Sequence, residues 1–190
     1  MDKKNLSVVR QMFAQTVFTH KVQECACERN SKKKNYFDWL TIIILSATLI
    51  ILVLSLICEK SEILNYIGIA LTIIEIVLLV MEKTFNFGGD AMQHKQSALK
   101  YLALRNEYLN LIADIIGSKK NDEEVIVFRD QLTKRYNEIC DLSPQTEGSD
   151  YTCAQEKLGT KSKKGKGHLH WTEEEIDSFL PIELKLTQTP

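Results

Sequence analysis

The chain has 190 residues, 24 Lys and Arg against 25 Asp and Glu, and a formal net charge of -1. That balance lacks the basic excess with which a protein holds a nucleic-acid backbone, so no direct nucleic-acid partner is expected. The mean hydropathy of -0.15 is unremarkable only because a polar body dilutes two very apolar stretches.

Residues 5 to 29 read as an amphipathic helix: Leu6, Val9, Phe13, Val17 and Cys25 fall near helical spacing, with Arg10, Lys21, Glu24 and Glu28 elsewhere. A polar, basic approach follows to Asn35. Its cluster Arg29, Lys32, Lys33 and Lys34 is of the kind that anionic lipid holds at a membrane surface. Leu40 to Cys58 is then 19 residues without a charge, and Ile63 to Met81 is another 19 with one, Glu75. At helical rise each reaches ~28 Å, about the hydrocarbon thickness of a bilayer. Only Glu59-Lys60-Ser61-Glu62 separates them, so the pair predicts a transmembrane hairpin with a tight turn. A soluble core helix would carry an amphipathic stripe, whereas Thr41 to Ile57 is apolar or Ser/Thr on every side. A signal peptide would place a shorter apolar region near the start, but here 38 residues come first. Lys and Arg flank the outer ends of the hairpin, while the turn has only Lys60 between two glutamates. Both termini are therefore expected in the cytoplasm of a two-span protein.

After the hairpin, Gly88-Gly89-Asp90 predicts a break and an N-cap, followed by a helix to about Ile116. His94, Ala98, Tyr101, Tyr108 and Ile112 lie on one face of it, a stripe expected to pack the cytoplasmic helices. Gly117 is a stop, and Asn121 with Glu124 opens a helix to about Leu142, with Val125, Phe128, Leu132, Tyr136 and Ile139 on its face. Residues 143–171 read as a linker, with Pro144, Gly148, Gly159 and a lysine run from 161 to 166. Thr172 and Glu175 form a second capping box, opening a short terminal helix with Ile176, Phe179 and Leu180, which Pro181 ends or bends. No strand is predicted. The fold class is an all-α membrane protein: a two-helix transmembrane hairpin, an amphipathic N-terminal helix and cytoplasmic C-terminal helices. Its predicted regions are 1–38, 39–81, 82–142, 143–171 and 172–190.

The apolar spans carry a polar seam. Asn65, Gly68, Thr72, Glu75 and Glu82 share one face of the second span, and Thr41, Thr48 and Ser55 share a face of the first. A carboxylate in a bilayer faces protein or a watery cavity. Two readings stand. Several hairpins around an axis would repeat Glu75 as an acidic ring favouring cations; alternatively Gly68, Thr72 and Glu75 pack the two helices together. Five cysteines, an odd number, argue against a disulfide framework. Cys25-x-Cys27, His20 and His168-x-His170 lack the two-residue gap of common zinc sites, so neither a metal nor another cofactor is expected. No catalytic acid, base or nucleophile set can be assembled, and no enzyme activity is expected. His94 reads as a hydrogen-bonded structural histidine.

Phe87, Ala91, His94, Ala98, Tyr101, Leu104 and Glu107 follow the hairpin in a His-x3-Ala-x2-Tyr-x2-Leu pattern. With the topology, over about residues 8 to 142, this resembles the SLATT family of two-transmembrane effectors associated with bacterial nucleotide second-messenger systems. The resemblance implies a pore-forming effector of a bacterial antiviral conflict system, resident in the inner membrane. It would be an oligomer held inactive until a partner senses invasion, and its opening would depolarise the membrane and stop or kill the infected cell, an abortive infection. The sensor would be a partner protein, such as a nucleotide-signal synthase, or the oligomer's own helices. On that reading Asn65, Gly68, Thr72, Glu75, Thr41, Thr48 and Ser55 line an ion channel. The rival is a non-conducting membrane anchor that recruits a cytoplasmic partner through the linker and terminal helix.

Overall fold

A computed structural model describes residues 3–57, 62–160 and 170–187. Among these, every regular element is helical: α1 (Lys3–Ile57), α2 (Glu62–Phe85), α3 (Phe87–Ile116), α4 (Asp122–Leu142), α5 (Gly148–Leu158) and α6 (Glu173–Ser178), then a 3-10 turn at Ile182–Leu184. They form two compact units, Glu28–Ala91 and Met1–Cys27 with Met92–Pro190. The expected turn residues Glu59, Lys60 and Ser61, the lysine run 161–166 and His168 lie outside the described residues.

In the unit Glu28–Ala91, α1 and α2 each contain a stretch long and apolar enough to cross a membrane. Their large side chains stay mostly exposed, Leu56 at 73% and Ile63 at 72%. Such a surface suits hydrocarbon, where helices meet the backbone's hydrogen-bonding needs internally. Ile51 meets Gly68 and Thr48 meets Glu75, so the spans run antiparallel. A separate N-terminal helix and basic approach were expected, but α1 is one helix of 55 residues. The reason is local: 30–35 holds no Gly or Pro, and Lys34 pairs with Asp38 one turn on, at 2.5 Å. That partner also raises the lysine's pKa.

The break after α2 also differs from expectation. It falls at Asn86, in the left-handed region at φ 38°, and Gly88 and Gly89 belong to the first turn of α3. Asn86 is itself the cap, its Oδ1 accepting from the Gly89 N–H at 3.3 Å. A Cβ on Gly89 would lie 2.3 Å from Asn86 Nδ2, so this cap needs glycine there.

The other unit has a conventional core. Leu6, Val9, Phe13, Val17 and Cys25 of α1 are buried with Tyr101, Leu104, Tyr108 and Ile112 of α3 and with Val125, Leu132 and Ile139 of α4. Phe128 departs from the expected face of α4: it is 42% exposed, with Lys120 Nζ 4.3 Å over its ring. Helix α4 opens with the Asn121/Glu124 capping box and α6 with that of Thr172 and Glu175. The expected linker is partly wrong: 148–158 forms α5, opened by a capping box between Glu147 and Asp150, with Ala154 fully buried. Its Cys153 is bonded to Cys25 across 128 residues, correcting the expectation of no disulfide. Spacing along the chain carries no trace of that pairing, which arises because α5 packs on α1.

The terminal segment docks through a buried arginine. Arg10, with no exposed surface, donates to Asp177 Oδ1 at 2.5 Å, to Glu173 Oε2 at 2.9 Å and to the Leu184 carbonyl at 3.1 Å. Gln11 clamps the Trp171 backbone, donating to its carbonyl at 2.8 Å and accepting from its N–H at 2.9 Å. Burial alone would raise the Asp177 pKa. Hydrogen bonds from Arg10, Thr187 and the Leu186 N–H outweigh it and hold the carboxyl at about 2.

Two predictions follow from this bridge. Asp177→Ala leaves a cation buried with one half-exposed partner and is expected to cost about 3 kcal/mol, whereas the pair Arg10→Leu/Asp177→Leu costs less than the two single changes summed. A double-mutant cycle of chemical denaturation in micelles measures both, and additive losses would remove the bridge from the account. Because the folded pKa is depressed, the Asp177 contribution is complete above the ordinary value of 3.8 and is lost as pH falls towards about 2. The melting temperature should drop across that window, and Asp177→Asn should flatten the drop.

Candidate functional site

The spans meet along positions spaced by 3 and 4. On α1 these are Ile44, Thr48, Ile51 and Ser55; on α2 they are Leu64, Gly68, Leu71, Glu75 and Leu78, all half-buried or buried on otherwise largely exposed helices. Gly68 lets the backbones approach: a Cβ there would sit 3.8 Å from Ile51 Cγ2. One turn further along, the Thr48 hydroxyl lies 2.7 Å from Glu75 Oε1, and it also lies 3.0 Å from the Ile44 carbonyl. The acidic side chain therefore has a partner inside its own hairpin.

Beside this contact runs a groove of about 440 Å3. It brings together Thr48, Ser55, Asn65, Gly68 and Thr72, between walls of Ile and Leu. Asn65 and Thr72 are exposed on its flank, and Thr72 returns its hydroxyl proton to the Gly68 carbonyl at 3.0 Å. Glu75 reaches the groove only through Thr48, and Thr41 lies outside it. Spacing alone had placed all seven on shared faces. It missed that Leu71 and Leu78 complete the α2 contact row, a signal present in the 64-68-71-75-78 steps.

In the basic segment, Lys33 Nζ stands 5.8 Å over the Phe87 ring, which stacks on Phe37 at 5.4 Å. Lys32 is exposed and Arg29 half-buried. Farther along, His94, Ala98, Tyr101, Tyr108 and Ile112 are all buried within the chain's own second unit. His94 Nδ1 donates to Gln23 Oε1 at 2.7 Å, a partner that sequence reasoning did not foresee. Burial pushes the Tyr108 hydroxyl up to about 12 and raises that of Tyr101 as well. Of the residues considered for metal, Cys25 is spent in the disulfide. His20 lies 3.5 Å from Glu24 Oε1, and burial lowers its pKa despite that neighbour. Among the described residues no three His, Cys, Asp or Glu side chains converge.

Comparison with known proteins gives one result. The family model described as SMODS and SLOG-associating 2TM effector domain family 4 matches residues 6–167. The match spans both units and stops before the terminal segment that Arg10 and Gln11 hold. No curated protein and no solved structure matches the chain. With the apolar hairpin, the capped helices behind it and a family match over most of its length, the chain belongs to the SLATT family of two-transmembrane effector domains of conflict systems.

Proposed function

We propose that this protein is a pore-forming effector of a bacterial antiviral conflict system, several hairpins assembling in the inner membrane around a shared polar path. The observation that carries the reading is the groove: Ser55, Asn65 and Thr72 form a polar strip, with Asn65 and Thr72 exposed, on an otherwise apolar hairpin. In hydrocarbon, exposed amides and hydroxyls are costly and seek protein or water. A single hairpin encloses neither, whereas a ring of copies turns those groups inward. Asn65, Thr72 and Ser55 then line the path with Gly68, and Glu75 sits behind them on Thr48, near enough to add negative charge. The Lys and Arg distribution supports both termini in the cytoplasm, with Arg29, Lys32, Lys33 and Lys34 at the lipid surface. The trigger is assigned to a sensor or second-messenger-generating partner, and no catalytic activity is proposed.

A second reading has its own support. The Thr48–Glu75 contact satisfies the carboxyl within one chain, as an anchor's helix packing would require. Then the hairpin is a tether, and the helical body recruits a cytoplasmic partner.

Membrane potential separates the two. Bacteria expressing the native chain with its genomic partners are expected to depolarise within minutes of the trigger, read with a voltage-sensitive dye. Asn65→Leu/Thr72→Val and Glu75→Leu, inserted at equal level, are each expected to bring the response near background. Full depolarisation by both variants would remove these residues from the path. A triggered native chain that leaves the potential unchanged would select the anchor.

A further inference from the structure

The unit formed by Met1–Cys27 and Met92–Pro190 holds a cavity of about 490 Å3 that the pore reading does not use. That is within the range of small-molecule sites, roughly 300–1,000 Å3. Four aromatic rings contribute to its wall: Phe18, Tyr101, Tyr136 and Tyr151. They come in two pairs, Phe18 with Tyr151 at 6.1 Å between centroids and Tyr101 with Tyr136 at 5.7 Å. The half-buried Tyr136 and the exposed Tyr151 offer ring surface to a flat guest, backed by the buried Tyr101 and Phe18.

The remaining lining is polar but uncharged. Gln15, Thr19, Gln23 and Thr146 reach it, and none of the described lining residues is Lys, Arg, His, Asp or Glu. The bonds donated by the Gln15 and Gln23 amides are long, whereas the Thr19 hydroxyl is held by the Gln15 carbonyl at 2.9 Å. Gln15 Nε2 is 3.4 Å from the Tyr136 hydroxyl and 3.5 Å from Thr19 Oγ1, and Gln23 Nε2 is 3.4 Å from the Pro144 carbonyl. Contacts beyond ~3.2 Å are weak, so these amide N–H groups have capacity for a better acceptor. By contrast the other end of Gln23 is fixed, because His94 holds its Oε1 at 2.7 Å. The amide is thereby oriented with its N–H2 as the end facing Pro144 in the cavity wall. Thus His94 and Tyr101, the two most distinctive letters of the post-hairpin pattern, both serve this cavity: one orients an edge group and the other supplies a wall.

The charge pattern narrows the guest. The start of α5 adjoins Thr146; there the Glu147 N–H donates to Asp150 Oδ2 at 2.8 Å and the Asp150 N–H to the Glu147 carbonyl at 3.0 Å, which places two carboxylates at that turn. A phosphate would meet no cation among the described lining residues and two acids beside the opening helix turn. Aromatic faces with amide edges are the means by which proteins take up unstacked bases.

We infer that this cavity is a binding site for an uncharged, flat heteroaromatic molecule of nucleobase or nucleoside size, and that it discriminates against the phosphorylated forms. The inference stands apart from the pore reading, since its test needs no ion flux.

The test is equilibrium dialysis of the full chain in lipid nanodiscs against adenosine, guanosine, cytidine and uridine, and against their 5′-monophosphates. At least one nucleoside is expected to bind with Kd below about 1 mM, and its monophosphate about tenfold more weakly. Cys140 is a free, exposed thiol that lines the cavity, so the bound nucleoside should slow its alkylation by iodoacetamide, read site by site by mass spectrometry. This arm locates the site without a mutation. Thr146→Trp, a loop change that fills the opening, should weaken binding at least tenfold at an unchanged melting temperature. No binding by any of the four nucleosides would overturn the inference. So would a monophosphate bound as tightly as its nucleoside, Cys140 alkylation indifferent to the ligand, or unaltered binding by a folded Thr146→Trp chain.

Discussion

Everything in the hairpin unit answers to one constraint: in hydrocarbon a backbone N–H or C=O has no water to bond, so each must be satisfied within its own helix. This is why the uncharged run of α1 and its counterpart in α2 are helices without interruption, and why their polar side chains are so restricted in kind. Thr72 returns its hydroxyl proton to the Gly68 carbonyl, and the Thr48 hydroxyl lies within reach of both the Ile44 carbonyl and Glu75, so neither leaves a donor stranded in the apolar layer. Glu75 finds its partner on the other span instead, its Oε1 lying 2.7 Å from the Thr48 hydroxyl. Gly68 makes the close approach by offering no side chain against Ile51.

The other unit obeys the ordinary rules of a soluble core, with one departure. Arg10 is completely buried, and a guanidinium without water is tolerated only when carboxylates and carbonyls surround it. Asp177, Glu173 and the Leu184 carbonyl do so from the terminal segment, while Asp177 also gathers the N–H groups of Leu186 and Thr187. One carboxylate thus organises both the arginine and the chain's last turn. The family match covers residues 6–167, and the segment beyond it packs into the same core through Trp171, Ile176 and Leu180.

Seen from function, the two units offer different chemistry. The hairpin presents a narrow polar strip on apolar helices. The helical body presents an aromatic cavity with no charged group among its described lining residues, whose walls and edge groups come from α1, α3, α4, the loop before α5 and α5 itself. His94 and Tyr101 of α3 both belong to this part of the body, His94 bonding Gln23 and Tyr101 lining the cavity.

Local signals were legible in the letters alone. Apolar length set the spans, because a bilayer is a fixed thickness and helical rise is constant; Asn121/Glu124 and Thr172/Glu175 set two helix starts, because a capping box closes within four residues. Even the stripe from His94 to Ile112 is a property of one helix and its period. What the letters did not carry was every contact between distant segments. The Arg10–Asp177 bridge spans 167 residues, Cys25 meets Cys153 across 128, and Gln23 finds His94 across 71. Helix α5 was missed because its short, polar run buries Ala154 and Asp150 only once α1 is there to receive them. The Asn86 break escaped notice because two glycines advertise a turn more loudly than one asparagine, and only the three-dimensional cap selects between them. The sequence by itself determined that this chain is helical and where it can enter a membrane, since both depend on neighbours along the chain; only the tertiary structure decided which polar groups meet, since that depends on neighbours in space.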